Sequence, residues 1–116
     1  MKIRKLFKFE ASHIVRNCYS EKCKFSTHGH SYLVEVFLES DGFDNAMMVY
    51  DFGLLKPLKQ FFNYFDHSIM LWDKDDWQYK NAMKQFSERW IEMPVNPTAE
   101  AMALLVNHGL ELILII

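Results

Sequence analysis

From residue 28 the chain alternates. His28, His30, Tyr32, Val34, Val36 and Leu38 share one parity, and Gly29, Ser31, Glu35 and Glu39 the other. A period of two is the mark of a half-buried strand, in which side chains two apart leave the same face. Both imidazoles therefore leave on the apolar side, with Gly29 facing away between them. Residues 2–13 repeat the pattern, with Ile3, Phe7, Phe9, Ala11 and His13 on one parity and Arg4, Lys8, Glu10 and Ser12 largely filling the other. If residues 2–13 and 30–39 pair as neighbouring strands, three histidines converge at one end of one buried face.

The rest of the chain shows helical spacing and turn signals. Residues 14–27 are a long connection for a hairpin and carry Arg16, Cys18, Lys22, Cys23 and Lys24; connections of this length are usually functional. Ser40-Asp41-Gly42 and Asp44-Asn45 read as turns, and Met47-Met48-Val49-Tyr50 as a short extended piece. Asp51 is a plausible N-cap for a helix through Leu54, Leu55, Leu58, Phe61, Phe62 and Phe65. Pro57 predicts either a kink there or a start nearer Lys56. Residues 73–93 place Trp77, Ala82, Phe86 and Trp90 at roughly helical spacing, a short helix bounded by loops.

Asn96-Pro97 predicts a second helix, with Asn96 as N-cap, Pro97 in the first helical position and Glu100 in the first turn. It runs through Ala101, Leu104 and Leu105, is weakened at Gly109, and ends in Leu112-Ile113-Leu114-Ile115-Ile116, apolar on every side. Two strands cannot cover two amphipathic helices, so something further must complete the sheet. The uncovered surface predicts association rather than a stable monomer.

Composition narrows the class. With 116 residues, half of them hydrophobic, the chain is a single folded domain with a modest core. A formal net charge of −2 argues against a nucleic-acid surface working by bulk electrostatics, so an anionic ligand needs local basic residues such as Arg16, Lys22 and Lys24. The basic start Met1-Lys2-Ile3-Arg4-Lys5 does not lead into an apolar signal core, and no apolar run approaches the ~20 residues of a bilayer span. The expected location is cytoplasmic, with Cys18 and Cys23 as thiols.

Three neutral imidazoles and an open position make a catalytic zinc site. A different constellation, Cys18, Cys23, His28 and His30, would close a structural zinc site with four protein ligands. Cys18 by itself reads as structural, and His108 lies outside any motif.

Several motifs stand in the order seen in one family: Phe9-Glu10-Ala11-Ser12-His13, Cys23 before His28-Gly29-His30-Ser31-Tyr32, Val49-Tyr50-Asp51-Phe52 with Leu55-Lys56, Asp66-His67, and Pro97-Thr98-Ala99-Glu100. From residue 3 to about 106 the chain resembles the 6-pyruvoyl-tetrahydropterin synthase / 6-carboxy-tetrahydropterin synthase family, and it looks more like the bacterial carboxy branch. The resemblance implies an α+β tunnelling fold, an antiparallel sheet with two helices packed on one face, assembled as a dimer of trimers. It implies that His13, His28 and His30 bind zinc, that Cys23 is the general base, and that Asp66 and His67 form a proton relay. Thr98 and Glu100 match the stretch that helps hold the pterin. The implied reaction takes 7,8-dihydroneopterin triphosphate to 6-carboxy-tetrahydropterin, acetaldehyde and triphosphate, on the route to 7-deazaguanine nucleosides. The alternatives are 6-pyruvoyl-tetrahydropterin formation and a non-catalytic zinc-binding module. In the family a strand pair with a pterin-anchoring glutamate follows the second helix; reading Glu111 as helical leaves that pair missing here and the single domain, residues 1–116, C-terminally incomplete.

Overall fold

The computed structural model describes residues 2–39, 42, 56–106 and 111–115. Strand β1, Lys2–His13, pairs antiparallel along its whole length with β2, His28–Glu39. The alternation sorts them as expected. Phe7, Phe9, Ala11 and His13 of β1 and Tyr32, Val34 and Val36 of β2 are buried, while Lys8 and Glu10 are exposed. On the polar face, Ser31 Oγ donates to its cross-strand partner Glu10 at 2.6 Å, and Arg4 lies 3.5 Å from Glu35. Helix α1, Glu21–Phe25, is a single turn within the connection.

Helix α2, Lys56–Phe65, contains Pro57 in the first of its described turns. Phe62 and Phe65 are its buried residues. Phe62 packs 5.0 Å from Phe7 between ring centroids and stacks on Phe9, which in turn stacks on Tyr32 at 4.8 Å. The proposed Asp51 cap, the extended piece at 47–50, the turns at Ser40-Asp41 and Asp44-Asn45, and His108 lie outside the described residues.

Three strands complete the sheet, which runs in the order β4-β3-β1-β2-β5. Strand β3, Ser68–Trp72, lies parallel to β1, and β4, Trp90–Met93, parallel to β3; α3, Trp77–Phe86, is the crossover between them. Residues 73–93 therefore contain the expected helix and, beyond it, a strand. The sheet is mixed rather than wholly antiparallel, because a helical crossover returns the chain to the same end and the next strand runs parallel.

The C-terminal expectation is corrected. Helix α4 is Ala99–Val106, and Glu111–Ile115 is strand β5, antiparallel to β2. Glu111 thus lies in a strand, and a strand does follow α4. A short apolar run such as Leu112 to Ile115 satisfies either a buried helix or a buried strand, and the exposed backbone edge of β2 selects the strand. Met102 of α4 joins the core that holds Phe62 and Phe65 of α2, so the two helices cover one face of the sheet. The cap of α4 is Thr98, whose Oγ1 accepts from Ala101 N at 3.1 Å, rather than Asn96. Glu100 stands in the first turn, as expected. No helix among the described residues is long and apolar enough to cross a membrane.

Candidate metal centre

The β1–β2 register sets His13 opposite His28 and Ala11 opposite His30. All three imidazoles leave the apolar face at the end of the hairpin, with ring centroids 4.6 to 5.0 Å apart. One nitrogen from each can be chosen so that all lie within 4.8 Å of one another. His13 is buried and the other two are half-buried.

Second partners fix the tautomers. His13 Nδ1 stands 2.7 Å from the carbonyl of Pro97, and His28 Nδ1 2.9 Å from that of Ser26. A carbonyl only accepts, so each Nδ1 carries the proton and each Nε2 presents a lone pair. The two Nε2 atoms face each other at 3.1 Å. Two nitrogens sharing a tetrahedral zinc at ordinary bond lengths stand about 3.3–3.4 Å apart. The donor set therefore fits a metal ion, and a cation between the lone pairs turns their repulsion into bonding.

Burial is the main cause that lowers the His13 pKa; the Pro97 hydrogen bond opposes it, and charge on His28 and His30 adds to it. Burial, then His28, lowers that of His30. Both effects favour the neutral ring that a metal requires. The Tyr32 hydroxyl, 3.4 Å from His13 Nδ1, is kept protonated by burial.

Among the described residues this group contains neither cysteine, so the closed four-ligand site with Cys18 and Cys23 is not formed. Cys23 is half-buried on α1, with its carbonyl accepting from Val15 N at 2.9 Å. Cys18 Sγ turns to the Ser20 carbonyl. Lys22 is exposed, and Lys24 Nζ lies 5.0 Å from the centre of the Phe25 ring. Arg16 does not extend a free charge beside them. Its Nε reaches both carboxylate oxygens of Asp75, at 3.0 and 3.1 Å, and its Nη1 donates to the Lys24 carbonyl. Thr98 spends its hydroxyl on the α4 cap, and Glu100 is exposed.

Asp66 and His67 lie elsewhere. Glu10 N donates to Asp66 Oδ1 at 2.8 Å, His67 N donates back to the Glu10 carbonyl, and His67 Nδ1 sits 3.0 Å from Asp66 Oδ2. The Glu10 amide leads the interactions that hold the Asp66 carboxyl below the usual range. His67 has a φ of 57° and lines a cleft of about 780 Å³ with Glu10, Ser12, Ser31 and Arg89. Glu10, Ser12 and Ser31 have the parity opposite to the histidine triad. Within one chain, the strand side chains that face His67 and those of the triad therefore leave opposite faces of the sheet, with His30 and Ala11 also bordering the cleft.

A profile of the 6-pyruvoyl tetrahydropterin synthase family matches residues 2–114. The chain belongs to that family. Its relatives include the 6-carboxy-5,6,7,8-tetrahydropterin synthase of Helicobacter pylori strain J99, 43% identical over 98% of this chain and 58% of the relative. That of Rickettsia conorii is 33% identical over 89% of this chain and 75% of its own length. Among solved structures, an uncharacterized protein of Wolinella succinogenes superposes with a TM-score of 0.80 at 20% identity, covering 99% of this chain and 92% of that one. The 6-pyruvoyl tetrahydropterin synthase of Caenorhabditis elegans gives 0.60 at 24% identity, covering 90% and 72%. These structures establish the fold. The chain spans 58% of the length of the Helicobacter relatives it matches.

Sequence reasoning for this family member missed the partners that hold the site. Pro97 was legible as a helix-start signal and as part of a motif, and its carbonyl as a histidine partner had no signature. Asp75 stands in the charged stretch Asp73-Lys74-Asp75-Asp76, where nothing local marks its partner.

Proposed function

We propose that the chain is the metal-binding part of a zinc-dependent lyase acting on 7,8-dihydroneopterin triphosphate and water, with 6-carboxy-tetrahydropterin, acetaldehyde and triphosphate as products. The observation that carries this reading is the pair of Nε2 lone pairs of His13 and His28 at 3.1 Å, each ring held by a carbonyl on its other nitrogen. His30 supplies the third nitrogen. Zinc so held would polarise an oxygen of the substrate side chain and stabilise the negative charge left when a neighbouring proton departs.

The protein's own groups do the rest. Cys23, as thiolate, takes the proton from the side chain, and Asp66 orients the His67 ring for a second proton transfer. Lys22 and Lys24 draw the triphosphate, while Thr98 and Glu100 border the pterin. Because the strand side chains that face His67 and those of the triad leave opposite faces of one chain, a site that uses both takes them from two copies, and the working protein is a cytoplasmic homo-oligomer. The name carried by the relatives at 43% identity favours the carboxy product over the pyruvoyl one.

Incubating the zinc-loaded protein with the triphosphate substrate and analysing products by mass spectrometry tests the reading. The carboxy pterin and acetaldehyde are expected; pyruvoyl product without acetaldehyde, or unchanged substrate, would overturn it.

A further inference from the structure

We infer that Arg16 and Asp75 form a positioning pair that clamps the Cys23 loop onto the end of the triad-bearing hairpin. The helix carrying Cys23 has five residues, too short to persist unaided. Two of its carbonyls are held by adjacent residues just beyond the end of β1: Val15 N donates to Cys23 O, and Arg16 Nη1 donates to Lys24 O at 2.9 Å. Arg16 can do this only while its guanidinium is fixed, and Asp75 fixes it. Nε reaches both carboxylate oxygens, and the Asp75 side chain is 3% exposed.

Other contacts make this a clamp rather than a lone ion pair. Tyr79 of α3 lies 5.1 Å from the Arg16 guanidinium, measured to the ring centre, and its hydroxyl meets Thr27 Oγ1 at 2.9 Å, at the residue before His28. Asn96 Nδ2 donates to the Arg16 carbonyl at 2.7 Å, next to the Pro97 that holds His13. The loop is thus held at both ends by the segment 75–79 and braced from residue 96, while the three histidines depend on none of the charged contacts. Breaking the clamp should release the thiol and leave the metal ligands in place. The catalytic consequence rests on the reading of Cys23 as proton acceptor; the clamping itself does not.

The test uses the full chain, zinc-loaded, with Cys18→Ser so that Cys23 is the single thiol. Iodoacetamide alkylation of Cys23 is followed by intact mass, beside zinc content and kinetics with 7,8-dihydroneopterin triphosphate. Asp75→Asn and Arg16→Lys, the latter keeping charge but losing the planar fork, should each speed alkylation about tenfold at unchanged zinc content. Asp75→Glu, which keeps the charge, should restore much of the protection. In turnover, kcat should fall about tenfold or more with a smaller change in KM, the mark of a misplaced group rather than lost binding. Alkylation at the parent rate in the variants would overturn the clamp, and so would loss of zinc together with protection. Should Asp75→Asn fail to fold, Arg16→Lys decides. If the parent protein turns nothing over, the proposed function fails and the alkylation arm still settles the clamp.

Discussion

His13 Nδ1 donates to the carbonyl of Pro97, 2.7 Å away and 84 positions later in the chain. Through this bond the turn before α4 decides which nitrogen of His13 faces the other two rings. Pro97 is among the most fully buried residues, so the carbonyl has little freedom to move. Replacing Pro97 with glycine keeps the carbonyl but frees the backbone, and should weaken zinc binding by about 10- to 100-fold with all three ligands present. Competition with a chromophoric chelator measures it; unchanged affinity would mean that the ring orientation is set by packing alone.

The aromatic stack beneath the centre is the second dependency. Phe9 is 2% exposed, between Tyr32 and the α2 phenylalanines. Phe9→Ala should cost about 3–5 kcal/mol in urea unfolding, a large part of the stability of a domain this size. A cost under about 1 kcal/mol would show that the stack is not the core.

Much of this could be read in the chain. The parity of His13, His28 and His30 against the surrounding Phe, Tyr and Val positions was enough to foresee their convergence, because alternation and a hairpin leave a single arrangement. Ser68–Trp72 was missed for a physical reason: a parallel strand covered on both faces shows no alternation, and four of its five residues are buried. Leu112 to Ile115 carried no preference between helix and strand until the edge of β2 was available to pair with it. The Arg16–Asp75 contact spans 59 positions, and no local pattern encodes such a pairing.

The α4 cap separates two residues that the sequence did not. Thr98→Ala removes the side-chain acceptor for Ala101 N and should destabilise the protein by about 1 kcal/mol. Asn96→Ala leaves the cap intact and instead frees the Arg16 carbonyl, so it should raise Cys23 alkylation while Thr98→Ala does not. Equal effects of the two changes on alkylation would refute the separation.

Asp66 gives a pH signature. Its folded-state pKa lies below the ordinary 3.8, with the Glu10 amide as the leading cause. Below 3.8 the unfolded chain takes up this proton more readily than the folded one, so the stabilisation is present above that pH and is lost as pH falls through the lower folded value. Asp66→Asn should flatten the acid limb of stability below about pH 4 and change little of its pH dependence near 7. An unaltered acid limb in urea melts would show that the Glu10 amide does not favour the charged carboxylate.

Three histidines, and no cysteine, are predicted to hold the metal. The most direct measurement is zinc content per chain by elemental analysis, after dialysis, for the parent and for His13→Ala, His30→Ala, Cys18→Ala and Cys23→Ala. One zinc per chain is predicted in the parent and in both cysteine variants, and essentially none in the histidine variants. A parent that binds no zinc, or zinc that leaves with either cysteine and stays without His13, would contradict a three-histidine site.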